Sequence, residues 1–589
     1  MLNISPQLCL LLTVNAVIAF TAILYLPYLF TLSIILYVLI LFLIMYKVKT
    51  PNRFSALLGV LTSCLWIRIF PYIDGIPLGV DPIRDIIYSY NVIQKASLVY
   101  NMPYFVKYYE YFPATQLLPL INAIISGADV SYAHYLALSA LSSLGVIPLI
   151  LVLRNLNNAF RRWSGLTILA GLLYAIIPTI ATWGYWVIPM TFSVLMALFS
   201  LMLFTTYLKN HRPELIVLSL IFSMLSVMVH AVVGTLVLGF YVMYAIILYL
   251  NIRGRRKTEK RMLKISTIYS IVLSTYTILY WNLIGFMQYF IRYVNSSYLR
   301  AVKILSKPLR LTVHGTRSII LPVSPKITVI PPYPQVIEYM PKEYPIMYIA
   351  PRWFWSFLLI ALPLLLLIIV KKGKVEIHTF VLTSGIYSLL VLVFTVFSIY
   401  FNIIWKADRY LASPITPYAI IFIVASFYML AKYKMNVKMK NFIALMILTL
   451  IAASVLDPRV SFYTNPVEGD RVTFKPSEKI ASKFLLSTLG TGYVISDYNL
   501  MTSYLYYLTI RSGLANVEIL FRPLRYCLRE KTWSKDWVFL FRKYSVESYY
   551  IWSLNYAGKP QVINEVFYRT NLVYDCGECF IFKSIAVEK

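Results

Sequence analysis

One short stretch places four acidic side chains in a 589-residue chain that is otherwise mostly apolar. The stretch between residues 70 and 120 contains Asp74, Asp81, Arg84, Asp85 and Glu110. Only 13% of all residues are charged, whereas 59% are hydrophobic. Because carboxylates near a membrane are costly unless they are used, we expect a functional site here. A solvated loop between two membrane spans is the alternative, since such a loop tolerates charge.

These residue types indicate one kind of chemistry. A carboxylate beside an alcohol can act as a general base, and an arginine recognises phosphate through paired hydrogen bonds. Asp81 and Asp85 are the candidates for catalysis, with metal binding or an ion pair to Arg84 as their alternative roles. The spacing of the carboxylates demands no particular ion, so no metal ligand and no cofactor is assigned, although a divalent metal fits the chemistry. The sequence contains no P-loop, dinucleotide-binding fingerprint or nucleophilic triad.

Long apolar runs predict an α-helical polytopic protein of the cell membrane with about 13 spans. The formal net charge of +30 comes largely from Lys and Arg clusters between these runs, as the positive-inside rule requires. The charge therefore predicts contact with membrane lipids and not with nucleic acid. With a cytoplasmic N-terminus, an odd number of spans puts the C-terminus outside. Residues 1–53 are predicted to form two helices and a cytoplasmic loop, and residues 54–456 the main transmembrane domain.

Two long outer loops are predicted within that domain, at residues 73–131 and 286–352. In the first loop, residues 113–126 are expected to form a short helix at the outer leaflet, and this helix includes Gln116. The second loop carries many basic residues, Arg317 among them, and is rich in proline over residues 318–351. Loops of this length are usually either functional or disordered, and we expect a lid.

Four further residues stand near the outer ends of predicted spans. Arg409 is favoured as a phosphate ligand over an ion pair with Asp408, and Lys406 lies in the same short loop. His230 ends a span, where an interfacial hydrogen bond is the alternative to a role in substrate binding. Arg68 lies one turn before the end of the third span, from which its head group is expected to reach the interface.

From residue 457 to 589 the composition becomes that of a soluble protein. Short β-like runs at 493–496, 537–540, 573–574 and 580–582 alternate with helix-like pieces, which predicts an extracytoplasmic α/β domain. Cys576 and Cys579 form a C-x-x-C pair without a second pair, so a zinc ribbon is not supported. A local disulfide and two free thiols are the alternatives for this pair.

Several short motifs stand at the outer ends of the predicted spans. They are Gly79-Val-Asp-Pro-Ile-Arg-Asp85, Tyr111-Phe-Pro-Ala-Thr-Gln-Leu-Leu-Pro119, Ser126-Gly127, Ile188-Pro189, His230 and Asp408-Arg-Tyr-Leu411. In this layout, from about residue 54 to 430, the chain resembles the type C (GT-C) superfamily of membrane glycosyltransferases, and in particular archaeal relatives. Many of those relatives have His where Gln116 stands here. The missing Trp-Trp-Asp run argues against the oligosaccharyltransferase branch.

The resemblance implies sugar transfer from a polyprenyl phosphate donor, of dolichyl or undecaprenyl type, to a lipid, glycan or protein acceptor. Asp81 would be the catalytic base, with Asp85 and Asp74 as the next candidates, and Arg409 would hold the lipid phosphate. The remaining residues expected to bind substrate are Arg84, Glu110, Gln116, His230, Arg317 and Lys406. Two other functions remain open at this stage: a lipid or solute transporter, which would need polar groups or broken helices at mid-membrane, and a membrane scaffold that binds a partner through its C-terminal domain.

Overall fold

The computed structural model describes most of the helical part of the chain and pieces of its C-terminal part. The described residues are 6–23, 29–30, 32–38, 40, 53–70, 80–95, 112, 114–156, 164–178, 180–181, 189–251, 257–305, 378–400, 411, 413–432, 445–452, 454, 476–488, 493–496, 504–511, 537–542, 570–575 and 579–584.

The fold is predominantly helical, which confirms the predicted class. The helices before residue 440 are α1 Pro6–Ile23, α2 Arg53–Ile69, α3 Val80–Lys95, α4 Ala114–Ser126, α5 Val130–Ser143, α6 Val146–Leu156, α7 Ser164–Ile176, α8 Pro189–Asn210, α9 Pro213–Val229, α10 Ala231–Asn251, α11 Lys257–Leu283, α12 Phe286–Leu305, α13 Thr379–Tyr400 and α14 Ser413–Lys432. Residues 32–38 and 445–452 are also helical.

Within these described residues, five helical segments are long and apolar enough to cross a bilayer, as a multi-pass membrane protein requires. They are Val130–Leu156, Pro189–Asn210, Ala231–Leu250, Lys260–Leu283 and Thr379–Ser398. Shorter apolar helices of 10–17 residues accompany them at Ala56–Ile69, Thr167–Ile176, Pro213–Val229 and Pro414–Met429. The total of about 13 spans and the sidedness of the termini stay predictions.

Helices α8 to α11 are joined by buried hydroxyl groups, which we call the hydroxyl cluster: Ser200, Ser219, Ser223, Tyr241 and Tyr269. The Ser200 hydroxyl lies 2.7 Å from the hydroxyls of both Ser223 and Tyr241. Apolar and aromatic side chains surround the cluster and form one continuous core with α13 and α14. Every member is neutral and has hydroxyl partners, so the cluster fixes helix packing without burying charge.

Residues 80–95 form helix α3, so the first two catalytic candidates lie on a helix and the expectation of a loop there was wrong. Pro82 stands in the first turn, where its missing N–H costs nothing. Ile83, Ile86 and Ile87 follow at helical spacing and are fully buried. Through this apolar stripe the helix packs against the rest of the protein, whereas a solvated loop would have no such apolar face.

The second predicted outer loop also begins as a helix, α12 (Phe286–Leu305). It is amphipathic, with Tyr289, Ile291 and Leu299 exposed beside Arg292. Amphipathic helices of this kind commonly lie along a surface. The structure describes only residues 286–305 of this predicted loop, so the absence of a span between residues 286 and 352 stays a prediction. The proline-rich residues 318–351 lie outside the described part of the chain, and the lid stays a prediction.

The predicted span near residues 132–153 is interrupted. Helix α5 ends at Ser143 and α6 begins at Val146, with a turn at residues 144–145. A Cβ atom on Gly145 would lie 2.3 Å from the Tyr174 hydroxyl, so only glycine allows this approach of α7. The Tyr174 hydroxyl in turn donates to the Ser142 carbonyl at the end of α5.

The C-terminal part contains a four-stranded sheet with the strand order β1-β2-β4-β3. Its strands are β1 Tyr493–Ser496, β2 Trp537–Arg542, β3 Thr570–Asp575 and β4 Cys579–Ser584, and the helices α15 Pro476–Thr488 and α16 Tyr506–Arg511 accompany them. β1 pairs with β2 in parallel, and the other two pairings are antiparallel. Each β-like run of the sequence falls in a strand. The domain boundary and its compartment stay predictions.

Candidate active site on helix α3

Helix α3 is held between the membrane helices and the C-terminal sheet. Its Ile83, Ile86 and Ile87 belong to the same buried cluster as residues of α15, α16 and all strands but β3, such as Leu485 and Val538. The acidic helix therefore completes the core of the C-terminal unit, although about 400 residues separate the two in the chain. This packing fixes the position of α3 and of its Asp85.

Asp85 lies at the centre of a buried polar group that we call the carboxylate cluster: Asp85, Gln116 and His134. The Gln116 side-chain amide donates to Asp85 Oδ1 at 2.6 Å. His134 Nε2 lies 4.0 Å from Asp85 Oδ2, and both side chains are fully buried. The cluster thus joins α3, α4 and α5, which supply one residue each. Of the predicted site residues, the structure brings Asp85 and Gln116 together.

Asp81 stands one helical turn before Asp85 on α3. Residues four apart share one face of a helix, so both backbone positions are directed to the same side of α3. Asp81 also lies in the first turn, where the helix dipole favours a negative charge. Its side chain lies outside the described part of the structure. Arg84, on the same helix, is half-buried.

A second set of hydrogen bonds ties the start of α5 to α3 and to the C-terminal unit. The Tyr90 hydroxyl of α3 donates to Asp129 Oδ2 at 2.8 Å, and Asp129 Oδ1 caps α5 through the Ser131 N–H. The hydroxyls of Ser131 and Tyr507 lie 2.9 Å apart. Burial, with a further contribution from the Asp129 carboxylate, raises the pKa of Tyr90, so its hydroxyl remains protonated and able to donate.

His230 lies at the junction of α9 and α10 and is almost fully buried. Its N–H donates to the Ser226 carbonyl at 3.1 Å, and its Nδ1 accepts from the Val233 N–H at 3.4 Å. These bonds end one helix and begin the next, as its alternative role as a hydrogen-bonding residue predicts. Its role in substrate binding stays a prediction.

The other predicted site residues lie outside the described residues, and their roles stay predictions. They are Asp74, Glu110, Arg317, Lys406 and Arg409. Cys576 is also outside them, whereas Cys579 is buried at the start of β4, so the disulfide stays a prediction as well. Among the residues that the structure does describe, no group of three or more His, Cys, Asp or Glu could hold a metal ion.

Two residues of the site were missed in the sequence, His134 and Tyr507. His134 had a usable signal, because it is the only acidic, basic or histidine side chain between residues 130 and 153. An isolated ionisable side chain in an apolar span marks function more often than packing. Tyr507 had no such signal, because its partner Ser131 is 376 residues away.

Comparisons with known proteins give structural likenesses only. No family model matches the sequence, and no curated protein does. The Archaeoglobus fulgidus oligosaccharyltransferase tethered with an acceptor peptide is 13% identical, covers 90% of this chain and 74% of its own, and has a TM-score of 0.48. ArnT from Cupriavidus metallidurans bound to undecaprenyl phosphate is 10% identical, with coverages of 91% and 98% and a TM-score of 0.45. The arabinofuranosyltransferase AftD from Mycobacteria is 13% identical, with coverages of 90% and 40% and a TM-score of 0.42.

Two of these three neighbours are glycosyltransferases by name, and the resemblance of this chain to the GT-C superfamily stays a prediction. Because every TM-score is below 0.5, the likenesses carry no argument about function, which must come from the residues of this chain. The archaeal origin stays a prediction.

Proposed function

We propose that the protein is a membrane glycosyltransferase that transfers a sugar from a polyprenyl phosphate donor to an acceptor hydroxyl at the extracytoplasmic face. The observation that carries this proposal is the acidic helix α3, whose fully buried Asp85 is held by Gln116 and lies beside His134. A carboxylate is buried in this way only where the surrounding structure compensates its charge. The chain therefore maintains a costly acidic site beside its membrane helices.

We assign different roles to the two carboxylates on α3, Asp85 and Asp81. Asp85 is enclosed, and one of its oxygens already accepts a hydrogen bond from Gln116. It suits a positioning role, in which it fixes α3 against α4 and α5. Asp81 occupies the first turn of the same helix, one turn N-terminal to Asp85, and it is the first candidate for the base. Asp74 remains a further candidate.

In the proposed reaction, Asp81 accepts the proton of the acceptor hydroxyl as that oxygen attacks the anomeric carbon of the donor sugar. The new glycosidic bond forms while the bond between the anomeric carbon and the phosphate oxygen breaks, with inversion at that carbon. The electron pair of the broken bond leaves with the polyprenyl phosphate. Arg409 would stabilise this leaving group, because a guanidinium matches phosphate geometry with two hydrogen bonds.

The test uses purified full-length protein with radiolabelled dolichyl-phosphate mannose and dolichyl-phosphate glucose, in the presence of membrane extract as a source of acceptor. We expect labelled product and an equal amount of free dolichyl phosphate, in amounts proportional to the protein added. No transfer from either donor, or from their undecaprenyl counterparts, would contradict the proposal. An exposed-carboxylate variant, Asp575→Asn in β3, serves as the matched active control.

A lipid transporter or flippase is the second candidate, and two observations favour it. The span Val130–Leu156 is interrupted at residues 144–145. The fully buried Arg68 contacts Tyr174, whose hydroxyl donates to the Ser142 carbonyl beside that interruption. Broken helices and buried charge are features of transport pathways. Reconstituted vesicles with fluorescent polyprenyl phosphate distinguish the two functions, because a flippase would move the lipid between leaflets with no sugar transfer.

A further inference from the structure

Arg68 is buried in the apolar core and does not reach the interface, which corrects the expectation from the sequence. Its exposure is 0%, and it is the largest fully buried side chain among the described residues. Its guanidinium carbon lies 5.0 Å from the centre of the Tyr174 ring, a cation–π contact between α2 and α7. Side chains on a helix point towards its N-terminus, so Arg68 is directed down α2 and away from its end.

The three guanidinium nitrogens of Arg68 have no hydrogen-bond acceptor among the residues that the structure describes. A cation–π contact covers only one face of the group and leaves its five N–H donors without acceptors. Burying a guanidinium without an anion is strongly unfavourable, and such groups are normally paired. An anion with two or more oxygen atoms is the partner that would compensate this group.

The contacts of residues along helix α5 give the position of Arg68 relative to Asp85. Ser131 near the start of α5 contacts Tyr507 of the C-terminal unit, and His134 lies beside Asp85. Eight residues further on, about 12 Å at 1.5 Å per residue, Ser142 accepts the hydrogen bond from Tyr174, against which Arg68 rests. Arg68 thus lies further from the C-terminal unit than the carboxylate cluster does. Its surroundings are apolar side chains.

We propose that Arg68 binds the phosphate group of a polyprenyl phosphate from the membrane side of the site. This inference rests on the proposed function for the identity of the lipid. In such a lipid the phosphate lies between an apolar isoprenoid chain and the sugar. The Arg68 guanidinium is surrounded by apolar residues and lies about two helical turns from the acidic site. Its position therefore matches the order of isoprenoid chain, phosphate and sugar in the lipid. Arg68 would act in addition to Arg409, approaching the phosphate from the side of the isoprenoid chain.

The stability of Arg68 variants without ligand distinguishes a lipid anion from an anion supplied by the chain. Removing one partner of a buried ion pair destabilises a protein, because the other charge remains unpaired. If the anion comes from the lipid, Arg68→Gln should leave the ligand-free unfolding temperature unchanged or raise it. At the same time the variant should weaken the affinity for polyprenyl phosphate about 10- to 100-fold, because a charge-assisted pair of hydrogen bonds is lost.

The experiment measures binding of undecaprenyl phosphate, undecaprenol and inorganic phosphate to purified full-length protein, together with the unfolding temperature. Wild type should bind undecaprenyl phosphate and be stabilised by it, and should bind the other two probes far more weakly. Arg68→Lys keeps the charge but loses the forked geometry, so its affinity should lie between those of wild type and Arg68→Gln. Arg154→Gln, a change in a partly exposed arginine of α6, should bind as wild type does.

Three results would overturn the inference. The first is equal affinity of wild type and Arg68→Gln for undecaprenyl phosphate. The second is a large loss of ligand-free stability, or failure to fold, in Arg68→Gln, which would reveal a partner anion within the chain. The third is inorganic phosphate or undecaprenol binding as tightly as the lipid phosphate. Because binding needs no turnover, the two proposals fail separately: Arg68-dependent binding without sugar transfer would contradict only the proposed function.

Discussion

The hydroxyl cluster and the carboxylate cluster are both buried and polar, but they differ in charge. This difference suits the first to helix packing and the second to chemistry. In the hydroxyl cluster, five neutral side chains from four helices are each other's partners. In the carboxylate cluster, an acid and a histidine are buried together with one short hydrogen bond, at 2.6 Å. Neutral groups with mutual hydrogen bonds join helices at little cost, whereas ionisable groups must be compensated. The carboxylate cluster carries that cost, so we propose that the region around α3 is a functional one.

Among the variants that compare the two clusters, Asp85→Ala should have the largest effect on stability and sugar transfer. The change removes the acceptor of the Gln116 amide and the carboxylate beside His134, which should lower the free energy of unfolding by about 2–4 kcal/mol. Sugar transfer should fall at least about 100-fold as α3 loses its anchor to α4. Thermal unfolding and the dolichyl-phosphate transfer assay measure the two effects. Asp85→Asn keeps an acceptor for Gln116, so it should recover most of the stability; if it is as unstable as Asp85→Ala, the role of that hydrogen bond is wrong.

The next largest effect tests the docking of α3 on the C-terminal unit. Ile87→Ala removes a fully buried side chain from the shared core and should cost about 2–4 kcal/mol. Ile93→Ala, on the same helix but 40% exposed, is the matched control and should cost far less. Limited proteolysis should release the C-terminal unit faster in the first variant than in the second. Equal release rates would show that this core does not hold the unit on α3.

A smaller effect is expected from Tyr507→Phe, which removes the hydroxyl that contacts Ser131. One buried hydrogen bond of this kind contributes about 0.5–1.5 kcal/mol to stability. Transfer should fall only a few-fold, because the apolar contacts of α3 remain. A double-mutant cycle with Ser131→Ala measures the coupling between the two hydroxyls. If the two changes are additive, the hydrogen bond contributes nothing to the docking.

The smallest effect should come from the hydroxyl cluster itself. Ser223→Ala leaves Ser200, Ser219 and Tyr269 with one another as partners and should cost about 0.6 kcal/mol, the average measured for such bonds in membrane proteins. Sugar transfer should stay within about twofold of wild type. The same two assays apply. A loss of transfer as large as that of Asp85→Ala would contradict the distinction between the two clusters.

The sequence predicted the regular elements well, because their signals are local. The apolar length of α8, α10 and α13 marks helices, and the four β-like runs after residue 457 all fall in strands. It also placed Asp85 and Gln116 in one candidate site, and the two side chains meet. The helices and strands are predicted from composition and spacing within each element, whereas Gln116 entered the site through the resemblance to the GT-C superfamily.

The failures have a common physical cause, which is contact with distant parts of the chain. The sequence predicts a loop at α3 because the apolar stripe of Ile83, Ile86 and Ile87 is short and its packing partners come from residues 481–581. Arg68 was expected at the interface because a lone cation on an apolar helix usually extends to water. Its burial against Tyr174 depends on α7, more than 100 residues later. Local patterning does not contain this information.

In the proposed mechanism a carboxylate of α3 acts as the base, and the rate of sugar transfer by Asp81→Asn tests this most directly. The variant keeps the shape of the side chain but cannot accept a proton, so transfer from dolichyl-phosphate-linked sugar should fall about 100- to 10,000-fold. Donor affinity and the unfolding temperature should not change, and Asp575→Asn should transfer at the wild-type rate. Equal transfer rates in Asp81→Asn and wild type would contradict the central claim.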